Sequence, residues 1–159
     1  MPIKPERKLY LDLRKSLEKH RKNVHIVRIE NLVGQGVPDT HITYFATSFW
    51  LELKVSDAKK PPLSKYQIAW HMQHADAGGH SWILQRTQKH ERMKLYVGSG
   101  VRNIPAWVPV MELPVPASRS TSRSPASRST SRCGKSVFEE LFDFIKERQN
   151  KYLIPHNAD

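Results

Sequence analysis

The sequence predicts a mixed α/β fold, a sheet with helices packed against it. Three observations predict it. Apolar residues recur at helical spacing near the start of the chain, and they alternate with period 2 through Phe49–Val55. A second helix signal, with its own cap, then falls between two groups of strand-like segments. The resulting order is α-β-β-β-α-β-β.

The first helix opens at Pro5-Glu6, where proline is tolerated and a carboxylate suits the helix dipole. Leu9, Leu13 and Leu17, backed by Tyr10, give an i, i+4 stripe that runs to about His20. The opposite face carries Arg7, Lys8, Arg14, Lys15 and Lys19, either as a solvated face or as phosphate contacts. Val24–Glu30 reads as a strand that places Arg28 and Glu30 on one side. Thr40–Phe45 is rich in β-formers, Ala46–Ser48 is a short connection, and Phe49–Val55 completes an antiparallel hairpin. In that last strand Phe49, Leu51, Leu53 and Val55 share one face, and Trp50, Glu52 and Lys54 share the other.

Pro61-Pro62 closes the strand region, and Ser64 with Gln67 forms a capping box flanked by a Leu63–Ile68 staple. Tyr66, Ala69, Trp70 and Met72 are expected on the sheet, His71 and His74 beside it, and Gly78-Gly79 stops the helix. A strand over Trp82–Gln85, a basic loop or hairpin over Arg86–Lys94 and a short strand at Leu95–Val97 follow. The texture then turns Pro-rich, and PASRSTSRS is repeated as PASRSTSRC between Pro116 and Cys133. Such a segment cannot bury a core and is expected to be a disordered spacer. Ser136 with Glu139 caps a last helix whose Phe138, Leu141, Phe142 and Ile145 make one apolar stripe. That stripe needs cover, from the chain's own core or from a second subunit. The expected division is residues 1–110 as the folded domain, 111–135 as linker and 136–159 as a C-terminal amphipathic helix.

The chemistry concentrates in Gly34–Lys54. Asp39 follows a Gly-rich loop and Pro38, and the hairpin can bring it across from the Glu52/Lys54 face. Two carboxylates converging within a few Å make a hard oxygen site that suits Mg2+. A cation there lowers the pKa of a water and offsets charge on a phosphoryl oxygen, and a neighbouring lysine orients that water. The alternative is a Pro-Asp turn followed by a Glu–Lys ion pair on a solvated face. Gly34-Gln35-Gly36 lacks the third glycine and the following helix of a dinucleotide loop, and reads as a flexible loop that admits a phosphate backbone.

Gly36-Val37-Pro38-Asp39, Trp50-Leu51-Glu52-Leu53-Lys54 and Leu63-Ser64-Lys65-Tyr66-Gln67, in that order, resemble the PD-(D/E)XK nuclease superfamily. They are most similar to its virus-type replication-repair nuclease group and small phage relatives. The resemblance spans about Glu6 to Val97 and implies a restriction-endonuclease-like core. It implies Mg2+, with Mn2+ as a substitute, held by Asp39, Glu52 and the backbone carbonyl of Leu53. Glu6 or Glu30 would complete the shell, Lys54 would activate the water, and Gln67 would support it. It further implies a structure-specific endodeoxyribonuclease cutting branched DNA such as Holliday junctions, as a homodimer. Arg7, Arg14, Lys15, Arg28, Gln35, Lys59 and Lys65 are the candidate DNA contacts. The alternatives are a nuclease of flap or linear duplex DNA, and a non-catalytic basic DNA-binding accessory protein with a degenerate nuclease fold.

Composition agrees with a polyanionic partner: the 159 residues carry a net charge of +11. The repeat brings four arginines and no acid, so the remainder is basic in its own right. No apolar run reaches the length of a membrane span, and no Walker loop is present, so neither membrane nor nucleotide cofactor is expected. The single cysteine, Cys133, excludes an internal disulfide and a cysteine zinc cluster, and a cytoplasmic home follows (host cytoplasm for a phage-encoded chain). His71, His74 and His80 would hold zinc only if their side chains converged, and no ligand spacing supports that.

Overall fold

The computed structural model describes residues 3–29, 35–115 and 134–153. In chain order these form α1 (Pro5–Ser16), β1 (Val24–Arg28), β2 (Thr40–Tyr44), β3 (Thr47–Val55), α2 (Lys65–Asp76), β4 (Ser81–Thr87), β5 (Arg92–Val97), β6 (Met111–Pro114) and α3 (Val137–Leu153). The strands make one six-stranded sheet in which each pairs with its neighbour in sequence. All pairs are antiparallel except β3 with β4, which run parallel because α2 carries the chain back between them. The expected mixed sheet flanked by helices is present, in the expected order and with β6 added.

The pleat of β3 sorts its residues as the alternation predicts. Phe49, Leu51 and Leu53 turn to one face, where they join Leu9 and Leu13 of α1, Leu84 and Leu95 of the sheet, and Leu141, Phe142 and Ile145 of α3. The opposite face holds a second cluster, Ile83, Tyr96, Val101 and Trp107, beneath Leu63, Ile68 and Met72 of the α2 region. Of the two destinations open to the last helix, its own core is the one it takes. Phe142 meets Tyr44 and Phe49 edge-on at 5.5 and 5.4 Å, and the Tyr44 hydroxyl donates to Asp143 at 2.9 Å. The Ser136/Glu139 capping box forms, and Glu139 also receives Lys19 at 3.0 Å and His20 at 2.6 Å from the end of the α1 region.

Several boundaries differ from expectation. The β2–β3 hairpin turns on Phe45-Ala46 alone, both at positive φ (45° and 66°), so Thr47 and Ser48 belong to the strand. α1 ends at Ser16 and passes into a short 3-10 turn, Glu18–His20. Of the two readings of Arg86–Lys94, the hairpin is the one that forms, shared between β4 and β5. The segment after β5 is not simply extended: Gly98–Ala106 forms 3-10 turns broken at Asn103. Met111–Pro114, expected as the first part of the linker, pairs with β5 because Met111 and Leu113 find cover on the main core. Pro114 is compatible with that position because β6 is an edge strand. The repeat Pro116–Cys133 lies outside the described residues. No helix among the described residues is long and apolar enough to cross a membrane.

Candidate active site

The β2–β3 ladder runs from Tyr44↔Thr47 to Thr40↔Leu51, and one step further puts Asp39 level with Glu52. Asp39 is wedged between β1 and β3: its carbonyl accepts from the Ile29 N–H at 2.8 Å, and its own N–H donates to Glu52 Oε2 at 3.3 Å. The Leu53 N–H donates to the Asp39 carboxylate. Because a strand residue turns its N–H and C=O to the same side, the Leu53 carbonyl faces Asp39 as well. The two acidic residues therefore lie side by side where β2 stops and β3 continues.

Glu52 is completely buried. Its Oε1 receives Lys54 Nζ at 2.8 Å and Gln67 Nε2 at 2.5 Å. Burial, and next the charge of Asp39, push its pKa up to about 7, against the pull of Lys54 and the Asp39 N–H. Burial also raises Asp39, with Lys54 and Arg28 opposing and Glu6 adding to the rise. Lys54 remains partly exposed at 18%, so one end of the ion pair meets solvent while the other does not.

Gln67 does both things its position allows. Its side-chain oxygen accepts from the Ser64 N–H at 3.0 Å, and its main-chain N–H donates to Ser64 Oγ at 3.2 Å, closing the capping box. Its amide nitrogen, at the other end of the same group, is what reaches Glu52. A helix cap thus aims a donor at the site. The loop that carries Asp39 is seated on this same first turn. Gly36 has φ +91°, and a Cβ there would lie 2.2 Å from the Tyr66 carbonyl oxygen. Gly36 therefore serves contact with α2, not flexibility for an approaching phosphate; Gly34 lies outside the described residues.

The remaining candidates divide. Glu6 and Arg28 are within electrostatic reach of Asp39, whereas Glu30 lies outside the described residues. Arg28 also lies over the Tyr10 ring at 5.4 Å. Arg7, Gln35, Lys59 and Lys65 are exposed, with Lys65 over the Tyr66 ring at 5.0 Å. Arg14 and Lys15 sit at the far end of α1, roughly 12 Å along the axis from Glu6. On α2, Tyr66 and Ala69 are exposed and do not pack on the sheet as expected. His71 takes that position instead, fully buried, with Nδ1 sharing a hydrogen bond with Ser81 Oγ at 2.8 Å. Burial, then His74 and Lys54, push its pKa down to about 4, so the ring is neutral. No group of three or more metal-ligating side chains occurs among the described residues, and the histidines do not form a zinc centre there.

Sequence reasoning missed Gln85. It is buried opposite Lys54 in the β3–β4 register, and its amide donates to the Ser56 and Ala58 carbonyls at 3.0 and 2.8 Å while accepting from the Tyr96 hydroxyl at 3.2 Å. It ties down the chain just past Lys54. A glutamine ending the apolar run Trp82-Ile83-Leu84 was the available signal.

No protein-family model and no curated protein matches the chain. Among solved structures it is similar to Hjc, a Holliday junction resolvase from the archaeal hyperthermophile Archaeoglobus fulgidus. The TM-score is 0.44 and the identity 14%, over 58% of this chain and 76% of that one.

Proposed function

We propose that the chain is a divalent-metal-dependent endodeoxyribonuclease acting on branched DNA, Holliday junctions among its substrates. The observation that carries this reading is the half-buried Asp39 beside the fully buried Glu52, with Lys54 and Gln67 on the Glu52 carboxylate. Burial raises both acids, and the Asp39 charge raises Glu52 further, so the ionised pair carries an excess of negative charge that a dication would offset. The donor set fits Mg2+: two carboxylates and the Leu53 carbonyl are all oxygen ligands, and they leave room for waters. Glu6 is the favoured auxiliary acid because it acts on Asp39. When bound, the cation supplies Lewis acidity toward a phosphoryl oxygen.

The chain's own groups do the rest. Lys54, held at Glu52 with its ammonium partly in solvent, orients the attacking water and places a positive charge where the phosphorane develops negative charge. Gln67 holds Glu52 in place from α2. Water attacks phosphorus in line, the P–O3′ bond breaks, and the products are a 3′-hydroxyl and a 5′-phosphate. Exposed cations such as Arg7, Lys59 and Lys65 provide sequence-independent phosphate contacts, so binding falls steeply with salt. A two-fold dimer would present two such sites to the two strands of a junction.

The test is cleavage of labelled four-way junction, flap and linear duplex DNA in Mg2+ and in Mn2+, with wild type and Lys54→Ala. Paired nicks in the junction are expected, falling on the order of 10²–10³-fold in the variant while binding survives. Equal cutting of all three substrates would retain the nuclease and remove the branch preference. Binding without cutting by either protein would assign the chain to a non-catalytic DNA-binding role.

A further inference from the structure

Glu52 and Lys54 share their sheet face with Trp50, and from Trp50 a row of aromatic rings runs away from the carboxylates. His41 meets Trp50 edge-on at 4.9 Å, and Trp50 meets Trp70 of α2 edge-on at 5.5 Å. Trp70 is stacked on His74 at 4.6 Å and 18°. The row begins one pleat repeat, roughly 7 Å, from Glu52.

These rings do not behave as core. All four are partly exposed, whereas Ile42, Phe49 and Leu51, their neighbours on the other face of the same strands, are fully buried. α2 packs above β4 and the 3-10 segment after β5, which among the described residues leaves this face of β1 and β2 open. There His25 and Val27 are exposed and His41 is partly so. The arrangement is nonetheless built. A Cβ on Gly79 would fall 2.3 Å from the His74 ring, so only glycine admits the ring where it stacks on Trp70. The His74 ring also bonds the His80 backbone, which fixes its plane.

A partly exposed row of rings in a chain of net charge +11 matches one kind of occupant: a strand whose bases are unpaired and free to stack. A paired duplex offers its phosphates and groove edges, with its base faces already occupied. We propose that His41, Trp50, Trp70 and His74 form a stacking platform for unpaired nucleotides of the DNA strand that enters the Asp39–Glu52 site. The identity of that strand rests on the nuclease reading. The platform deepens the substrate class: among branched DNAs it favours those with unpaired nucleotides at the branch point, such as flaps, open forks and junctions with an opened centre.

The experiment separates the two readings because it uses no cleavage. Full-length protein in EDTA is titrated with a thymidine oligonucleotide and with a blunt duplex of equal length, following tryptophan fluorescence and anisotropy. Trp70→Leu keeps apolar bulk, Trp70→Phe keeps an aromatic face, and thermal melts confirm that both are folded. The expected result is saturable quenching by the oligonucleotide, with binding roughly 10-fold weaker in Trp70→Leu, restored in Trp70→Phe, and duplex affinity unchanged. Equal weakening toward single strand and duplex, or no change toward either, would overturn the platform. If the junction assay shows no cutting while oligonucleotide binding depends on Trp70, the platform stands as a binding surface. If DNA is cut and Trp70→Leu binds normally, the platform falls and the nuclease remains.

Discussion

Replacing Glu52 by glutamine should make the metal-free protein more stable, and only above mildly acidic pH. The carboxyl titrates near 4.5 when unconstrained and near 7 in the folded chain, because burial and then Asp39 oppose its ionisation. A folded-state value above the unfolded one favours folding fully below about pH 4.5. That contribution is lost as pH rises through about 7. At about 1.36 kcal/mol per pH unit the loss comes to about 3 kcal/mol at pH 8. Glutamine keeps one oxygen for the Gln67 amide, gives up the acceptor of the long 3.3 Å bond from the Asp39 N–H, and never ionises, so it escapes the cost. Thermal melts in EDTA at pH 5 and pH 8 read this out. The variant should melt only about 2–3 °C above wild type at pH 5 and about 6–12 °C above it at pH 8. Mg2+ should narrow that gap by stabilising only the wild type. A variant that is less stable at pH 8, or one whose difference from wild type is the same at both values, would refute the account of a strained carboxylate pair.

Two further outcomes follow from packing. Gly36→Ala sets a methyl group against the Tyr66 carbonyl at a backbone angle of φ +91°, lifting the Asp39 loop from α2. A destabilisation of about 1–3 kcal/mol by urea melt is expected, with cleavage down roughly 10²-fold in the same preparation. Phe142→Ala empties a fully buried site between Tyr44 and Phe49, and should cost about 3–5 kcal/mol by chemical denaturation. Cleavage measured well below its melting point should be unaffected, since the hole opens on the face opposite Glu52.

Much of this was legible in the sequence because it follows from periodicity and caps. Alternation through Phe49–Val55 places Glu52 and Lys54 on one side, and both capping boxes form as written. The turn at Phe45-Ala46 was not legible, because tight hairpin turns at positive φ ordinarily declare themselves with asparagine or glycine. The buried face of α2 was legible only in part: Met72 packs on the sheet as expected, while Tyr66 and Ala69 do not. Exposed Tyr66 keeps company with Lys65, while the smaller, neutral His71 goes under the helix because Ser81 satisfies one of its nitrogens. β6 hid behind proline, which an outermost strand tolerates. The double duty of Gln67 needed coordinates, since a sequence shows one amide and not its two ends.

The strand order has a kinetic meaning. Since every strand pairs with the one beside it in sequence, the sheet can assemble from sequence-local pairings, with the α2 crossover between β3 and β4 the one long parallel closure. The contact that spans the chain is the packing of α3 with α1 over the main core, anchored where Glu139 takes Lys19 and His20. On a ribosome, Asp39 and Glu52 can therefore meet well before the helix that seals the other side has been synthesised. The interval between them is a window in which apolar surface stands open, and its length is set by translation of everything between Val55 and Ser136.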